Sequence, residues 1–287
     1  MSDWPVGLST GCFYNRSIFE CLEPIRQGGF SMIEVCSAPD HLDYHDQKQV
    51  RRAAEMIKGL GIEAYSFHAP FRHEIDITAL DKFQRERSLH ELLTAAETAG
   101  ILNVRYFVVH PGPEKSPNIS DQERSQRILN ASGVLNEVCR RCRELEIGFV
   151  LENMLPHLLF GNTSDMLKIM GSIQEINVGT CLDTGHAHLS GDLYSVMYKL
   201  SGHLQMIHAA DNHGDWDAHL APGQGGVDWP RLLRELHETG FHGGLILELA
   251  GNEDVSMEEK LDQARQARCY LRDISRRIDL STPPTVT

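Results

Sequence analysis

The sequence has few of the features that mark membrane, secreted or nucleic-acid-binding proteins. No apolar run reaches the roughly 18 residues of a membrane-spanning helix, so we expect none. The segment from Met1 to Pro5 lacks the basic and apolar regions of a secretory signal peptide. Positive charge is scarce, because the chain has 27 lysines and arginines and 40 acidic residues, which gives a net charge of −13. This charge disfavours nucleic acid and membrane surfaces as partners, since both are negative.

Paired cysteine motifs are equally scarce. The seven cysteines are an odd number scattered along the chain, which is typical of a reducing compartment, and we expect a cytoplasmic protein. The single CxxC motif, Cys139-Arg-Arg-Cys142, lies in a helical pattern and has no second CxxC to pair with. We therefore interpret it as two cysteines on the buried face of a helix, and not as a zinc or redox site.

Short strand-like runs alternate eight times with longer amphipathic runs typical of helices. Helix starts carry capping signals: Ser120 and Ser256 each precede a glutamate by three residues, and Pro230 fits a first helical turn. Eight units of about 36 residues predict a (β/α)8 TIM barrel. An open doubly wound sheet fits less well, because no glycine-rich nucleotide loop follows the first strand. The strand candidates are Val6–Thr10, Met32–Ser37, Ile62–His68, Val104–His110, Gly148–Asn153, Val178–Asp183, Leu204–His208 and Gly244–Leu249.

The chain shows no internal boundary between domains. No linker or low-complexity segment interrupts the alternation of strands and helices, so we predict one TIM-barrel domain over residues 1–277. Residues 278–287 include two adjacent prolines with a threonine on either side. We expect a loose C-terminal tail there.

Side chains that bind metals recur where the predicted strands end. The chemistry of such barrels gathers at the C-terminal ends of the strands, and six consecutive strands end on a histidine or an acid. Each of these residues alone has a structural explanation. Together they would crowd charges into one pocket at high cost unless a cation is present. The pattern therefore predicts a divalent metal, Mn²⁺ or Zn²⁺. The six are His68, His110, Glu152, Asp183, His208 and Glu248.

Two further segments add residues to this set. In the stretch TCLDTGHAHLSGD, Asp183 is followed by His186 and His188. We interpret His186 as a metal ligand or a substrate contact, and for His188 we favour a supporting or structural role. The loop after the seventh strand carries Asp217 and His219. An acid and several imidazoles at the mouth of a buried strand are explained by a shared cation.

The ordered motifs HAP, HPG, EN, DTGH, IHAADN and LEL resemble those of the xylose isomerase-like TIM barrel superfamily, which also contains endonuclease IV. The resemblance covers nearly the whole chain and implies a core metal site of Glu152, Asp183, His208 and Glu248. In the endonuclease IV pattern nine residues hold three zinc ions, and this chain has the required residue type at all nine positions. The resemblance thus implies between one and three ions. The five additional residues are His68, His110, His186, Asp217 and His219.

The chain also departs from both subgroups. Ketose 3-epimerases have a second glutamate shortly after the strand-five glutamate and an arginine shortly after the strand-seven histidine. This chain has Leu158 and Gly214 near those places. Endonuclease IV inserts side chains from the loops after strands two and three into DNA. Here the strand-two loop, SAPDHLDYHDQ, is acidic and would repel phosphate, whereas Phe71 and Arg72 after strand three could still act as a wedge.

Three functions remain open at this point. We favour an isomerase or epimerase that acts by proton transfer on a small sugar, sugar phosphate, polyol or keto compound. In this reading Glu152 and Glu248 exchange the proton, and His186 and Trp216 contact the substrate. The alternative is a multinuclear zinc phosphodiesterase, either an AP endonuclease or a small phosphoester hydrolase. A non-catalytic metal-dependent binder is a third reading, which the paired glutamates disfavour. The sequence leaves the oligomeric state open.

Two groups of residues have no assigned chemistry. Glu34, in the middle of the second strand, either reaches the substrate or supports the floor of the barrel. Several other histidines are expected at the surface: His41, His45, His73, His90 and His237.

Overall fold

Eight parallel strands close into a single barrel in chain order. The structure, a computed structural model, describes residues 4–115, 118–251 and 254–281. Each strand pairs with the next one along the chain, and the last pairs with the first, with Val6 opposite Leu245. The predicted (β/α)8 barrel is confirmed. The strands are β1 (Val6–Ser9), β2 (Met32–Cys36), β3 (Glu63–His68), β4 (Tyr106–Val109), β5 (Gly148–Glu152), β6 (Val178–Asp183), β7 (Leu204–Ala209) and β8 (Gly244–Leu247).

Helices surround the barrel, and their starts carry the predicted caps. The Ser120 hydroxyl accepts the N–H of Glu123, and Ser256 and Glu259 cap each other reciprocally. In the described part of the chain, no helix is long and apolar enough to cross a membrane. The helices are α1 (Ile18–Gln27), α2 (Gln47–Gly59), α3 (Lys82–Leu102), α4 (Asp121–Glu144), α5 (Thr163–Gly171), α6 (Thr184–Leu189), α7 (Leu193–Leu200), α8 (Trp229–Glu238) and α9 (Met257–Ser281).

The barrel interior is filled by side chains beneath the strand ends. Most of the core lies between the sheet and the helices, and a smaller apolar cluster fills the interior of the barrel. Successive side chains of a strand alternate between these two environments. Five members of the interior cluster each precede an expected metal ligand by two positions, so the ligands also point inward, one layer higher. These members are Val108, Val150, Cys181, Met206 and Ile246.

Two peripheral features differ from the sequence-based expectations. Helix α9 runs through Ser281, and Ile278 packs in the core, so the first part of the expected tail is helical. Residues 282–287 of that tail lie outside the described residues. His41 is 1% exposed and not at the surface, because its Nδ1 lies 2.7 Å from the carbonyl oxygen of Arg16 and the loop folds over it.

Candidate metal centre

Four potential metal ligands meet at the C-terminal ends of strands β5 to β8. Glu152, Asp183, His208 and Glu248 each offer one ligand atom, and these atoms all lie within 4.8 Å of one another. The first three are almost completely buried, whereas the Glu248 side chain is 21% exposed. Since β5, β6, β7 and β8 are neighbours in the barrel, residues that are 96 positions apart in sequence share one site.

His208 is held between carboxylates on both of its ring nitrogens. Its Nε2 lies 2.9 Å from Glu34, and its Nδ1 lies 3.0 Å from Glu152 and 3.3 Å from Glu248. The Glu34 carboxylate is fully buried and also accepts the hydroxyls of Ser9 and Ser66. These contacts favour the second interpretation of Glu34, in which it supports the site at the floor of the barrel beside His208.

A second group of ligands surrounds the other oxygen of Glu152. The Nε2 atom of His68 lies 3.2 Å from Glu152 Oε2, and that of His110 lies 3.6 Å from the same oxygen. One ligand atom each of His68, Glu152 and His208 lie within 4.8 Å of one another, and His110 contacts the same carboxylate of Glu152. The His110 ring also packs against Phe71, with 4.3 Å between the ring centroids.

The loop after β7 contributes a third group. One ligand atom each of His186, Asp217 and His219 lie within 4.8 Å of one another. Asp217 Oδ2 lies 3.4 Å from His186 Nε2 and 3.1 Å from His219 Nε2. His219 adopts a left-handed backbone conformation with φ of 43°, which is uncommon outside glycine and is typical of functional loops. All nine residues of the implied set therefore converge on the mouth of the barrel.

Asp211 explains why this loop has a fixed shape. Its buried carboxylate accepts the backbone N–H groups of Gly223 and Val227 and the indole N–H of Trp229. These bonds join the two ends of the segment that carries Asp217 and His219. Sequence reasoning gave Asp211 no definite role, although an acid followed by a glycine-rich stretch is a signal for such a loop.

The carboxylates of the site favour positive charge around them. Burial raises the pKa of the Asp183 carboxyl to about 7. Burial also acts to raise the pKa of Glu152, but the charges of His208 and His110 and the hydrogen bonds from its histidine neighbours hold it well below its usual value. The pKa of His186 rises to about 10 despite its burial, because Asp183 and Asp217 stabilise the charged ring. A divalent cation at this site would compete with these protons for the same ligand atoms.

Three buried polar atoms of the site have no hydrogen-bond partner among the described residues: Asp183 Oδ2, Asp217 Oδ1 and His110 Nδ1. Buried polar atoms are nearly always paired, and a carboxylate oxygen needs a donor or a cation. The mixed set of carboxylates and imidazoles is chemically suited to Zn²⁺ or Mn²⁺. The residues present therefore fit a divalent ion at the core group and at the loop group.

The other residues considered near the substrate differ in where they lie relative to the site. Together with seven of the nine ligand-type residues, Leu158 lines a cavity of about 230 Å³, so an apolar side chain stands in its wall. Gly214 has a φ of 86°, which a glycine adopts without strain. Trp216 is 64% exposed and does not line this cavity, because its loop directs it to solvent, so the structure does not place it as a substrate contact.

Comparison with known proteins agrees with this geometry. The family model described as a xylose isomerase-like TIM barrel matches residues 22–274. The chain is 27% identical over 252 residues to the uncharacterized protein MJ1311 of Methanocaldococcus jannaschii, which covers 86% of this chain and 84% of that protein. It is 24% identical over 193 residues to fructoselysine 3-epimerase of Escherichia coli O157:H7, which covers 65% and 66% of the two chains.

Solved structures extend the likeness over almost the full length. A D-tagatose 3-epimerase-like protein superposes with a TM-score of 0.83 at 24% identity, covering 96% of this chain and 98% of that one. The IOLI protein with a bound zinc atom superposes with a TM-score of 0.79 at 20% identity, covering 96% and 99%. These two likenesses show the fold alone. The family model, in contrast, spans most of the sequence, and it follows that the chain belongs to the xylose isomerase-like TIM barrel family.

Proposed function

We propose that the protein is a divalent-metal-dependent isomerase or epimerase that acts by proton transfer on a small carbohydrate-like substrate. One observation carries the proposal: Glu152, Asp183, His208 and Glu248 converge on one point while Asp183 Oδ2 stays buried without a partner. Epimerases and isomerases of sugars among the relatives support the same class of reaction. Several acids in one buried pocket cost free energy through desolvation and mutual repulsion, and a bound cation would offset this cost.

The two glutamates differ in access, which suggests how they divide the work. A bound divalent ion supplies polarisation of a substrate carbonyl and a neighbouring hydroxyl, which acidifies the C–H between them. Glu248 is partly exposed and lines the mouth of the barrel, which supports the proposal that it takes a proton from carbon. Glu152 reaches the same cavity from β5, and in this proposal it returns a proton from a second direction.

His186 is the proposed contact for a substrate oxygen. It lines the cavity beside Glu152, and its Nδ1 lies 2.8 Å from the carbonyl oxygen of Asn153, which fixes the orientation of the ring. Its Nε2 then points to the side of the cavity where Asp217 lies. An imidazole held in this way can hold an oxygen in place while a neighbouring carbon exchanges its proton.

The test is proton exchange at carbon. Ketoses and inososes are incubated in D₂O with the protein loaded with Mn²⁺, Zn²⁺ or no ion, and the solvent deuterium incorporated next to the carbonyl is followed by NMR. We expect exchange that requires the ion and stops on chelation. Protein purified without chelator that holds less than about a tenth of an equivalent of any transition metal, and does not take up either ion when supplied, would contradict the proposal.

A second function has a specific observation in its favour. His186, Asp217 and His219 form their own ligand group, and Asp217 Oδ1 is buried without a partner. This matches the third metal position of the endonuclease IV pattern and supports a phosphodiesterase acting through several ions. The acidic loop after β2 and the net charge of −13 oppose DNA as its substrate. This function is therefore the second candidate, and the number of ions held with and without Asp217 and His219 distinguishes the two.

A further inference from the structure

A second cavity, of about 410 Å³, adjoins the metal centre. It shares His68, Phe71, His219 and Glu248 with the 230 Å³ cavity, so the two spaces meet at the mouth of the barrel. The larger cavity extends away from the ligands, between the ends of β1, β2, β3 and β8. If the reacting carbons of a substrate lie at the metal centre, the larger cavity receives the part that does not react. Most of its wall is apolar, with Tyr14, Pro39, Pro70, Ala250 and Leu249 among the lining residues.

Arg72 is the arginine among the residues that line this cavity, and Nη2 of its guanidinium has partners among the described residues. Its Nη2 donates to the hydroxyl of Tyr44 at 2.7 Å and lies 3.7 Å from Glu91. The Tyr44 hydroxyl in turn donates to Glu91 at 2.5 Å, so the guanidinium is anchored through two partners. The Nε atom of Arg72 is buried and has no acceptor among the described residues, whereas the side chain as a whole is 40% exposed and lines the larger cavity. The exposed part of this charged side chain is open to an acceptor from a ligand, and an anion in the cavity would find its partner there.

The neighbouring charges narrow the class of that ligand. Glu91 already balances part of the positive charge, and it also lies 3.2 Å from the Nε2 of His45. A phosphate dianion would be repelled by Glu91 and by Glu248, which lines the same cavity. A carboxylate brings a single charge and two oxygens in one plane, which matches the planar guanidinium.

We propose that the larger cavity binds a carboxylate at the non-reacting end of the substrate, and that Arg72 recognises it. The inference rests on the proposed function and narrows its substrate class to acidic keto sugars and related keto acids. Arg72 is a specificity-determining residue in this proposal, because it contacts the substrate at a distance from the reacting carbons.

The experiment uses sugars that differ at one end only. D-Fructose, D-fructuronate and D-fructose 6-phosphate carry a hydroxymethyl, a carboxylate and a phosphate at the same carbon, and D-tagatose and D-tagaturonate repeat the first comparison on a second skeleton. Binding to the metal-loaded protein is measured by calorimetry, and kcat/KM is measured by deuterium exchange. We expect wild type to prefer each carboxylate over its neutral counterpart by about tenfold or more, as a charge-assisted hydrogen bond implies.

Two substitutions test Arg72 itself. Arg72→Gln keeps a donor for Tyr44 but removes the charge, and Arg72→Lys keeps the charge but removes the planar pair of donors. We expect Arg72→Gln to lower the carboxylate-to-neutral ratio about tenfold, chiefly through KM, with partial recovery in Arg72→Lys. Arg51→Gln, an exposed change on α2, is the matched control and should keep the wild-type ratio. Circular dichroism and metal content establish that each variant is folded.

The outcomes separate this inference from the proposed function. Proton exchange in neutral sugars with a ratio that Arg72→Gln leaves unchanged overturns the carboxylate site and leaves the proposed function standing. Arg72-dependent binding of carboxylates without any exchange supports the site and counts against the proposed reaction. A wild-type preference for the phosphate over the carboxylate overturns the inference even if the Arg72 variants do not fold.

Discussion

The Nε2 atom of His208 lies 2.9 Å from the carboxylate of Glu34, whereas Glu152 and Glu248 contact the other ring nitrogen, Nδ1. Burial acts to raise the pKa of Glu34, but the charges of His208 and His68 and the hydrogen bonds from His208 and Ser66 lower it overall, so this carboxylate is an acceptor. The proton on Nε2 therefore faces Glu34, and Nδ1, which faces Glu152 and Glu248, can bind an ion once it has lost its own proton. Metal-binding histidines are commonly oriented by an acid in this way.

Removing the charge of Glu34 should weaken metal binding without removing a ligand. We expect Glu34→Gln to lower the affinity for Zn²⁺ or Mn²⁺ by about 10- to 100-fold, because the amide no longer fixes the tautomer and basicity of His208. Competition with a metal indicator measures the affinity directly. Glu63→Gln, at the exposed start of β3, is the matched control and should bind as wild type does. Equal affinities in the two variants would show that Glu34 has no part in metal binding.

The barrel and its ligands could be predicted because both depend on local pattern. The alternation of strands and helices predicts the fold, and the fold brings the strand ends together. His68 and Glu248 are 180 positions apart in sequence, yet each was expected at the mouth of the barrel because it closes a strand. The strand boundaries differ from the prediction by one or two residues at several ends, where the last pairing depends on the neighbouring strand.

Features that depend on packing between loops could not be predicted. His41 is buried because the carbonyl oxygen of Arg16, 25 positions away, meets its ring. Trp216 is exposed although it is a large apolar residue, because the hydrogen bonds made by Asp211 set the course of the loop that carries it. The contact of Arg72 with Tyr44 joins the loops after β3 and β2. No residue type or spacing in these segments specifies which partner will lie opposite.

The two proposed acid–base residues should be essential. Glu152→Gln and Glu248→Gln keep the side-chain volume but remove the charge, so we expect each to lose about 10²- to 10⁴-fold in kcat while the fold is retained. The exchange assay measures the loss, and circular dichroism checks the fold. Glu137→Gln, on the exposed face of α4, controls for a general effect of the substitution. Near-normal turnover of either variant on the true substrate would exclude that residue as a base or an essential ligand.

Removing the metal should destabilise the protein, since the buried acids then lose their compensating cation. With free ion at about 100 times Kd, binding contributes about 2.7 kcal/mol, and chelation should lower Tm by about 5 °C or more. Adding the ion back should restore the Tm measured by calorimetry. Asp183→Asn is the informative variant, because it removes the carboxylate whose Oδ2 is buried without a partner. Its Tm should respond little to chelation. A wild-type Tm that is the same with and without chelator contradicts a tightly bound ion.

The loop ligands separate the two candidate reactions. Asp217 and His219 lie outside the core group of four, so an isomerase that uses the core ion alone should tolerate Asp217→Ala with His219→Ala. In that case KM rises and the metal content stays the same. A phosphodiesterase that needs the third ion should lose about one equivalent of metal, because two of its three ligands are gone, and cleavage of bis(p-nitrophenyl) phosphate should fall with it. Metal analysis and both activity assays on the same preparations decide between them. Three ions in wild type, two in the double variant and phosphodiester cleavage by wild type would overturn the isomerase proposal; a single ion that both proteins retain, with ion-dependent exchange and no cleavage, would support it.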